Sequence, residues 1–336
     1  MFGIVLEKFN SELLVLEDLQ LPKLSAGQVL VKVSYSGICG SQLMEIQGKR
    51  NNSKYLPNLL GHEAIGIVVD VGQGVKKTKV GDQVLVSWIR GKGISSEPPK
   101  YFSPKIGVVN AGQCATWSEY SVISENCIFQ FEKQIEPRDC FYGCLIPTTL
   151  GLIFNHTQIF KGKSILINGL GGLGVMFFYL ALDFPFSMIH VNDLNQDRIN
   201  HVLEIADKNH LGRKVKMFKS NDSIEIAFEF SGSIRGIEYS FENLNKENSK
   251  LYLSSHPESG KKIELDPYDF ILGKNIFGNW GGGLKLDEDL HKICEYYSSF
   301  NFANRLYPSE IFNFYDVNYA IEGMKSHKFL RPILKF

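Results

Sequence analysis

The sequence predicts an α/β chain in two parts, a mostly β first segment followed by a doubly wound parallel sheet. Three observations carry this. Short β-branched runs bounded by glycine fill the first part. After about Cys144, apolar strands alternate with helical patterns. The string Gly169-Leu170-Gly171-Gly172-Leu173-Gly174 stands between the first of those strands and the first of those helices. The chain has 336 residues, more than one hydrophobic core usually serves, so two domains are expected.

In the first part, Gly27 to Val33 reads as a strand entered from a Pro and Gly turn. Ala64 to Gly72 is a β-branched run bounded by glycine, and Val80 to Val86 is a turn leading into another strand. Many short strands with glycine turns suggest an open barrel or sandwich. In the second part, Ser164–Ile167 is a short apolar strand, and the apolar stretch Leu170 to Leu182 follows it as a buried helix. Met188 to Val191 is a second strand ending at Asn192-Asp193. Ile199, Val202, Leu203 and Ala206 then mark one helix face. Ala227 to Phe230 and Lys250 to Ser254 read as further buried strands, with Ile234, Ile237, Phe241 and Leu244 on the helix between them. Leu290 to Tyr297 and Val317 to Met324 read as late helices. The domains expected are 1–145 with 282–336, and 146–281.

Composition narrows the function. Acidic and basic residues balance at 36 each and are interspersed, so no field favours nucleic acid or an acidic membrane. The longest apolar stretch, Leu170 to Leu182, is too short to span a bilayer. The N-terminus contains Glu7 and Lys8 and no continuous apolar run, which argues against a secretory signal. Six cysteines without tight pairs do not make a disulfide framework, so a reducing, cytoplasmic compartment is expected.

The glycine string sits where a dinucleotide needs it. Gly169 allows the tight turn after the strand. Gly171, with Gly172 beside it, lets the backbone approach a pyrophosphate at the helix N-terminus, and Gly174 permits close helix–strand packing. Asp193 lies about 20 residues on, the distance expected for a ribose-binding carboxylate. Opposite a 2′-phosphate at about 4 Å it would be repelled by roughly 4 kcal/mol per charge at an effective dielectric near 20. It therefore favours NAD over NADP. Arg198 weakens that preference, because it is placed to reach a phosphate.

Cys39, His62 and Cys144 form a soft, borderline donor set suited to zinc. They are far apart in sequence, as catalytic ligands often are, so spacing does not establish the site. Taken singly, each cysteine reads as a small core residue.

The strings Gly37-Ile38-Cys39-Gly40-Ser41, Gly61-His62-Glu63, Val80-Gly81-Asp82-Gln83-Val84, Gly143-Cys144 with Thr148 and Gly151, the glycine turn, and the tail Leu330 to Phe336 occur in a telling order and separation. Nearly the whole chain resembles the zinc-containing alcohol dehydrogenases of the medium-chain dehydrogenase/reductase family. The resemblance implies a GroES-like, mostly β catalytic domain and a Rossmann domain for NAD. It implies one catalytic zinc on Cys39, His62 and Cys144, with a fourth position for water or a substrate oxygen. It further implies that Glu63 lies behind the metal, Ser41 takes the substrate proton, Thr148 packs near the nicotinamide and Arg331 neutralises the pyrophosphate.

Three departures stand out. Gln42 replaces the aspartate that usually orients the histidine ligand, and a neutral amide is expected to do so less strongly. Met44 replaces a proton-relaying histidine. Ser87 to Gln113 holds no cysteine where many relatives carry four, so no second, structural zinc is expected, and Cys114 and Cys127 read as core thiols. Trp88 falls at an expected pocket wall with Arg90 and Lys92 close behind, and Lys49, Arg50, Asn51, Asn52 and Lys54 lie in a loop near the expected mouth. These suggest a polar polyol or sugar-like small-molecule substrate. The expected activity is hydride transfer between NAD(H) and an alcohol or carbonyl. The alternatives are zinc-free reduction of activated double bonds and a non-catalytic nucleotide-binding protein. Asn275 to Gly283, with Ile276, Phe277 and Trp280, resembles a strand that pairs across a two-fold axis, so a homodimer or homotetramer is expected.

Overall fold

The computed structural model describes the backbone of residues 1–336 and the side chains of all but 304–306. Two compact units emerge: residues 1–144, 285–290 and 308–336 form one, and residues 145–284 and 291–307 the other. Residues 291–307 pack with the second unit, where the sequence reading had grouped them with the first.

The first unit is built on antiparallel pairing. Its longest strand, Gln28–Gly37, buries Val29, Val31 and Val33 while Lys32 faces water, the two-residue period of a half-buried strand. It pairs antiparallel with Glu63–Val71 along one edge, and with Tyr120–Ser124 and Ile333–Lys335 along the other. The turn at Val80 is exposed, and the strand after it, Gln83–Ser87, pairs with Glu63–Val71. A second sheet carries Gly3–Leu6, Leu14–Leu16, Asn58–Leu59 and the hairpin Lys100–Ser103 with Gly107–Ala111. Sequence reading had not resolved that hairpin.

Carboxylates tie the cysteine-free segment after Ser87. Glu125 accepts from the backbone N–H groups of Lys76, Lys77 and Ile94 at 2.6 to 2.9 Å. Asp287 accepts from Lys92 N at 2.5 Å and pairs with Lys77 Nζ at 2.5 Å. Cys114 and Cys127 are core thiols, packed with Val29, Val84 and Ile123.

The second unit is the doubly wound sheet. Its strands run in the order Val215–Met217, Met188–Asn192, Ser164–Asn168, Ile226–Glu229, Lys250–Leu253, Asn275–Gly278, all pairing parallel. Numbered along the chain this is 3-2-1-4-5-6, the order in which the connections diverge beside the first strand and open a crevice at its carboxyl end. The helix after the glycine turn runs Gly172–Asp183 and is buried from Gly174 to Leu182. The next, Gln196–Lys208, buries Ile199, Val202 and Ala206, with Leu203 half-buried. Ile237, Phe241 and Leu244 pack with Leu166, Ala227 and Leu251. The helix Leu145–Phe160 is interrupted at His156, whose φ of −127° and ψ of 19° leave the helical region.

His190 is buried in the second strand. Its Nδ1 lies 3.1 Å from Asp222 Oδ2 and its Nε2 3.1 Å from Ser164 Oγ. Burial pushes its pKa below the ordinary value against the pull of Asp222. The unfolded chain therefore binds a proton near the ordinary value that the folded chain refuses, and stability falls as pH drops through about 6.5. His190→Asn is expected to flatten that part of a thermal-midpoint profile between pH 7.5 and 5.5; an unchanged slope would assign it to other groups.

Candidate metal and cofactor sites

Three separate segments of the first unit deliver Cys39, His62 and Cys144. Cys39 leaves the strand Gln28–Gly37 in extended conformation and precedes the short helix Gly40–Ile46. His62 precedes the strand Glu63–Val71, after Gly61 at a φ of 90°, where a Cβ would collide with Thr116 and Trp117. Cys144 follows the 3₁₀ turn Pro137–Gly143, whose Gly143 carbonyl accepts from Ser87 Oγ at 2.6 Å. A Cβ on Gly143 would meet Val86 O at 2.5 Å and Glu63 Cβ at 2.8 Å, so glycine is what allows the close approach. One donor atom from each of Cys39, His62 and Cys144 lies within 4.8 Å of the others. Two sulfurs and an imidazole at that separation fit a tetrahedral zinc with one open position.

The electrostatics suit a cation. A hydrogen bond from Cys144 holds the Cys39 thiol well below its ordinary pKa, with Arg331 and His62 acting in the same direction against the effect of burial. The same shared proton and burial push Cys144 up. A divalent ion would displace that proton and favour thiolate on both. Glu63 is fully buried behind the site, and burial raises its pKa although Arg331 and His62 oppose this. Its Oε1 accepts from Arg331 Nε at 3.1 Å and Nη2 at 2.7 Å. Its Oε2 is buried without a hydrogen-bond partner among the described residues. Arg331, expected on a pyrophosphate, is itself 2% exposed and pairs with Glu63.

Ser41 Oγ lies 3.4 Å from His62 Nδ1. Gln42 is closer, with Nε2 2.6 Å from the same nitrogen and Oε1 accepting from Cys39 N at 3.0 Å. Thus Gln42 does occupy the place of the orienting side chain. Glu45, which sequence reading passed over, is one helical turn beyond Ser41 on the same face and pairs with Arg50 at 3.6 Å. Its pKa is raised by burial. Both polar atoms of the Asn52 carboxamide are buried without a hydrogen-bond partner among the described residues. Trp88 is half-buried and Arg90 exposed, and the Arg90 charge acts on the thiols of Cys114 and Cys127.

In the second unit, Gly169 adopts a φ of 91°, and a Cβ there would meet Ser231 N at 2.5 Å. A Cβ on Gly174 would collide with Gly169 O, the close packing the fingerprint implies. A Cβ on Gly171 would instead enter open space, room that a pyrophosphate at this helix N-terminus can fill. Asp193 closes the turn: Oδ2 accepts from Leu170 N at 2.5 Å and Oδ1 from Asn195 N at 2.8 Å. Arg198 Nη1 stands 3.9 Å from Asp193 Oδ2. Leu194, unremarked in the sequence, is fully exposed directly after Asp193. Thr148 is buried, and its carbonyl accepts from Asn279 Nδ2 at 2.9 Å.

Removing the partner of a buried carboxylate costs about 3–5 kcal/mol. Arg331→Met is expected to lower stability to chemical denaturation by that order, and the additional change Glu63→Gln to restore much of it. A loss no greater for the single variant than for the double would show that the pair is not the support described above.

Residues 25–133 match the alcohol dehydrogenase GroES-like domain. An S-(hydroxymethyl)glutathione dehydrogenase from Photobacterium damsela subsp. piscicida is 23% identical, over 95% of this chain and 95% of its own. Among solved structures, an alcohol dehydrogenase zinc-binding domain protein from Burkholderia ambifaria superposes with a TM-score of 0.83 at 18% identity, covering 100% of this chain and 98% of that one. Benzyl alcohol dehydrogenase from Acinetobacter calcoaceticus gives 0.80 at 20% identity, covering 100% and 99%. The chain therefore carries an alcohol dehydrogenase GroES-like domain over residues 25–133 and shares the fold of these solved structures along its whole length.

Proposed function

We propose that the protein is a zinc-dependent, NAD-linked alcohol dehydrogenase acting on a polar alcohol or its carbonyl partner. The observation that carries this reading is the approach of Cys39, His62 and Cys144 donor atoms within 4.8 Å in a chain that also holds a dinucleotide turn. Zinc held there would serve as a Lewis acid that polarises the substrate oxygen and acidifies an alcohol. Ser41, two residues after Cys39 and hydrogen-bonded near His62, is positioned to receive the alcohol proton or return it to the carbonyl oxygen. The two sulfurs would offset the ion's charge, so that neutral oxygens would bind it reversibly. Asp193 favours the unphosphorylated ribose, and the glycine turn receives the pyrophosphate.

Polarity of the substrate rests on the Glu45–Arg50 pair and on the unpartnered carboxamide of Asn52 in the loop that follows. A site for a plain aliphatic alcohol needs none of these groups. A polyol or sugar derivative offers hydroxyls to all of them.

The subunit association proposed is a pairing of second units along Asn275–Gly278. This strand ends the parallel sheet, and Phe277, Trp280 and Ile271 are 40%, 78% and 79% exposed there. An apolar sheet edge of this kind is stable when a second copy covers it.

The zinc-loaded protein is expected to reduce NAD⁺ with polyols and sugar alcohols more efficiently than with ethanol or hexanol, followed by NADH absorbance. Cys39→Ser and treatment with a chelator are each expected to abolish turnover. Full activity after zinc removal would refute the metal reading, and a preference for hexanol the polar one. In solution, Phe277→Asp is expected to reduce the mass measured by light scattering to that of one chain; a wild-type protein already of that mass would remove the association.

A further inference from the structure

The hydrogen bonds around Gln42 impose a condition on the metal centre that a carboxylate at this position would not. The backbone N–H of Cys39 can only donate, and its acceptor is Gln42 Oε1 at 3.0 Å. That contact fixes which way the amide points. The NH₂ group therefore faces His62 Nδ1 at 2.6 Å and donates to it, so Nδ1 presents its lone pair. A neutral imidazole in this state carries its proton on Nε2, the nitrogen left for an ion. Coordination through Nε2 needs the opposite tautomer, with hydrogen on Nδ1. Two donors would then face each other at 2.6 Å.

We propose that Gln42 opposes metal loading: the centre accepts zinc only when the Gln42 amide turns over and gives up its hydrogen bond from Cys39. After that turn Oε1 accepts from Nδ1–H, while the NH₂ group faces the Cys39 N–H. The ring exchanges one proton position for the other and stays neutral. Among the described residues, Ser41 Oγ is the other acceptor near Nδ1, and at 3.4 Å its contact is longer and weaker than the 2.6 Å one from Gln42. Gln42 is 1% exposed, so solvent does not relieve the group left without a partner. A carboxylate has two acceptor oxygens and satisfies Cys39 N–H and His62 Nδ1–H together. The result is a centre with weaker hold on zinc than its three donors would otherwise have, and Gln42 acts as a positioning residue through His62. This rests on the reading of Cys39, His62 and Cys144 as the metal centre.

The test compares the wild-type chain with Gln42→Glu, which keeps size and reach and adds the second acceptor. Binding of zinc alone is measured by competition with a chromophoric chelator, and cobalt substitution reports tetrahedral thiolate coordination by its visible absorption. Gln42→Glu is expected to bind zinc about 10- to 100-fold more tightly, with the same cobalt spectrum as the wild type. Equal or weaker binding by a folded Gln42→Glu would overturn the role of Gln42. Absence of zinc binding and of a cobalt–thiolate spectrum in both proteins would instead overturn the metal centre itself. Nitrogen-15 NMR of histidine-labelled, metal-free wild-type protein tests the idea independently of any variant's folding. Hydrogen on Nε2 of His62 supports it, and hydrogen on Nδ1 refutes it.

Discussion

The buried carboxylate of Glu63 is the constraint on which the first unit's site rests. It is fully enclosed, against Gly37 at the end of one strand, Gly143 in the turn before Cys144, and the guanidinium of Arg331 in the C-terminal segment. A Cβ at Gly37 would run into its Oε1. Cys39 follows Gly37 by two residues, His62 precedes Glu63 by one, and Cys144 follows Gly143 by one. The side chain that fills this space thus fixes the spacing of all three segments that deliver donors. Leaving a carboxylate so deep without a cation would be strongly unfavourable, which explains why an arginine near the far end of the chain is drawn to it.

The charge balance of the centre follows from the same packing. A hydrogen bond from Cys144 and the charge of Arg331 favour ionising Cys39, while that same bond and burial oppose it at Cys144. A divalent cation placed between them would favour thiolate on both. The amide of Gln42 sits on the other side of His62 and decides which ring nitrogen is free. The metal chemistry of this chain is set as much by the groups behind the donors as by the donors.

The second unit reaches its function by topology. Its parallel strands leave the first strand's carboxyl end with connections diverging to either side, and the glycine turn lies there. Asp193 binds the backbone of that turn through both oxygens, so this carboxylate shapes the turn. Arg198 stands close enough to temper its charge.

Much of this was legible in the chain itself. Period and glycine punctuation located the strands at 28, 64, 164, 188, 227 and 250 and the helices between them, because those patterns are local consequences of backbone geometry. The donor types at Cys39, His62 and Cys144 and the glycine turn were legible for the same reason. Their spacing did not establish that they meet, and only the family resemblance implied it, since three segments separated by tens of residues converge through packing around Glu63. Nor was the pairing of Arg331 with Glu63, the double hydrogen bond of Gln42, or the place of residues 291–307 legible. Sequence determined which elements form and which chemistry the side chains carry; tertiary structure decided which buried donors face which acceptors, because long-range packing and the need to satisfy polar groups out of water act only once the chain has folded.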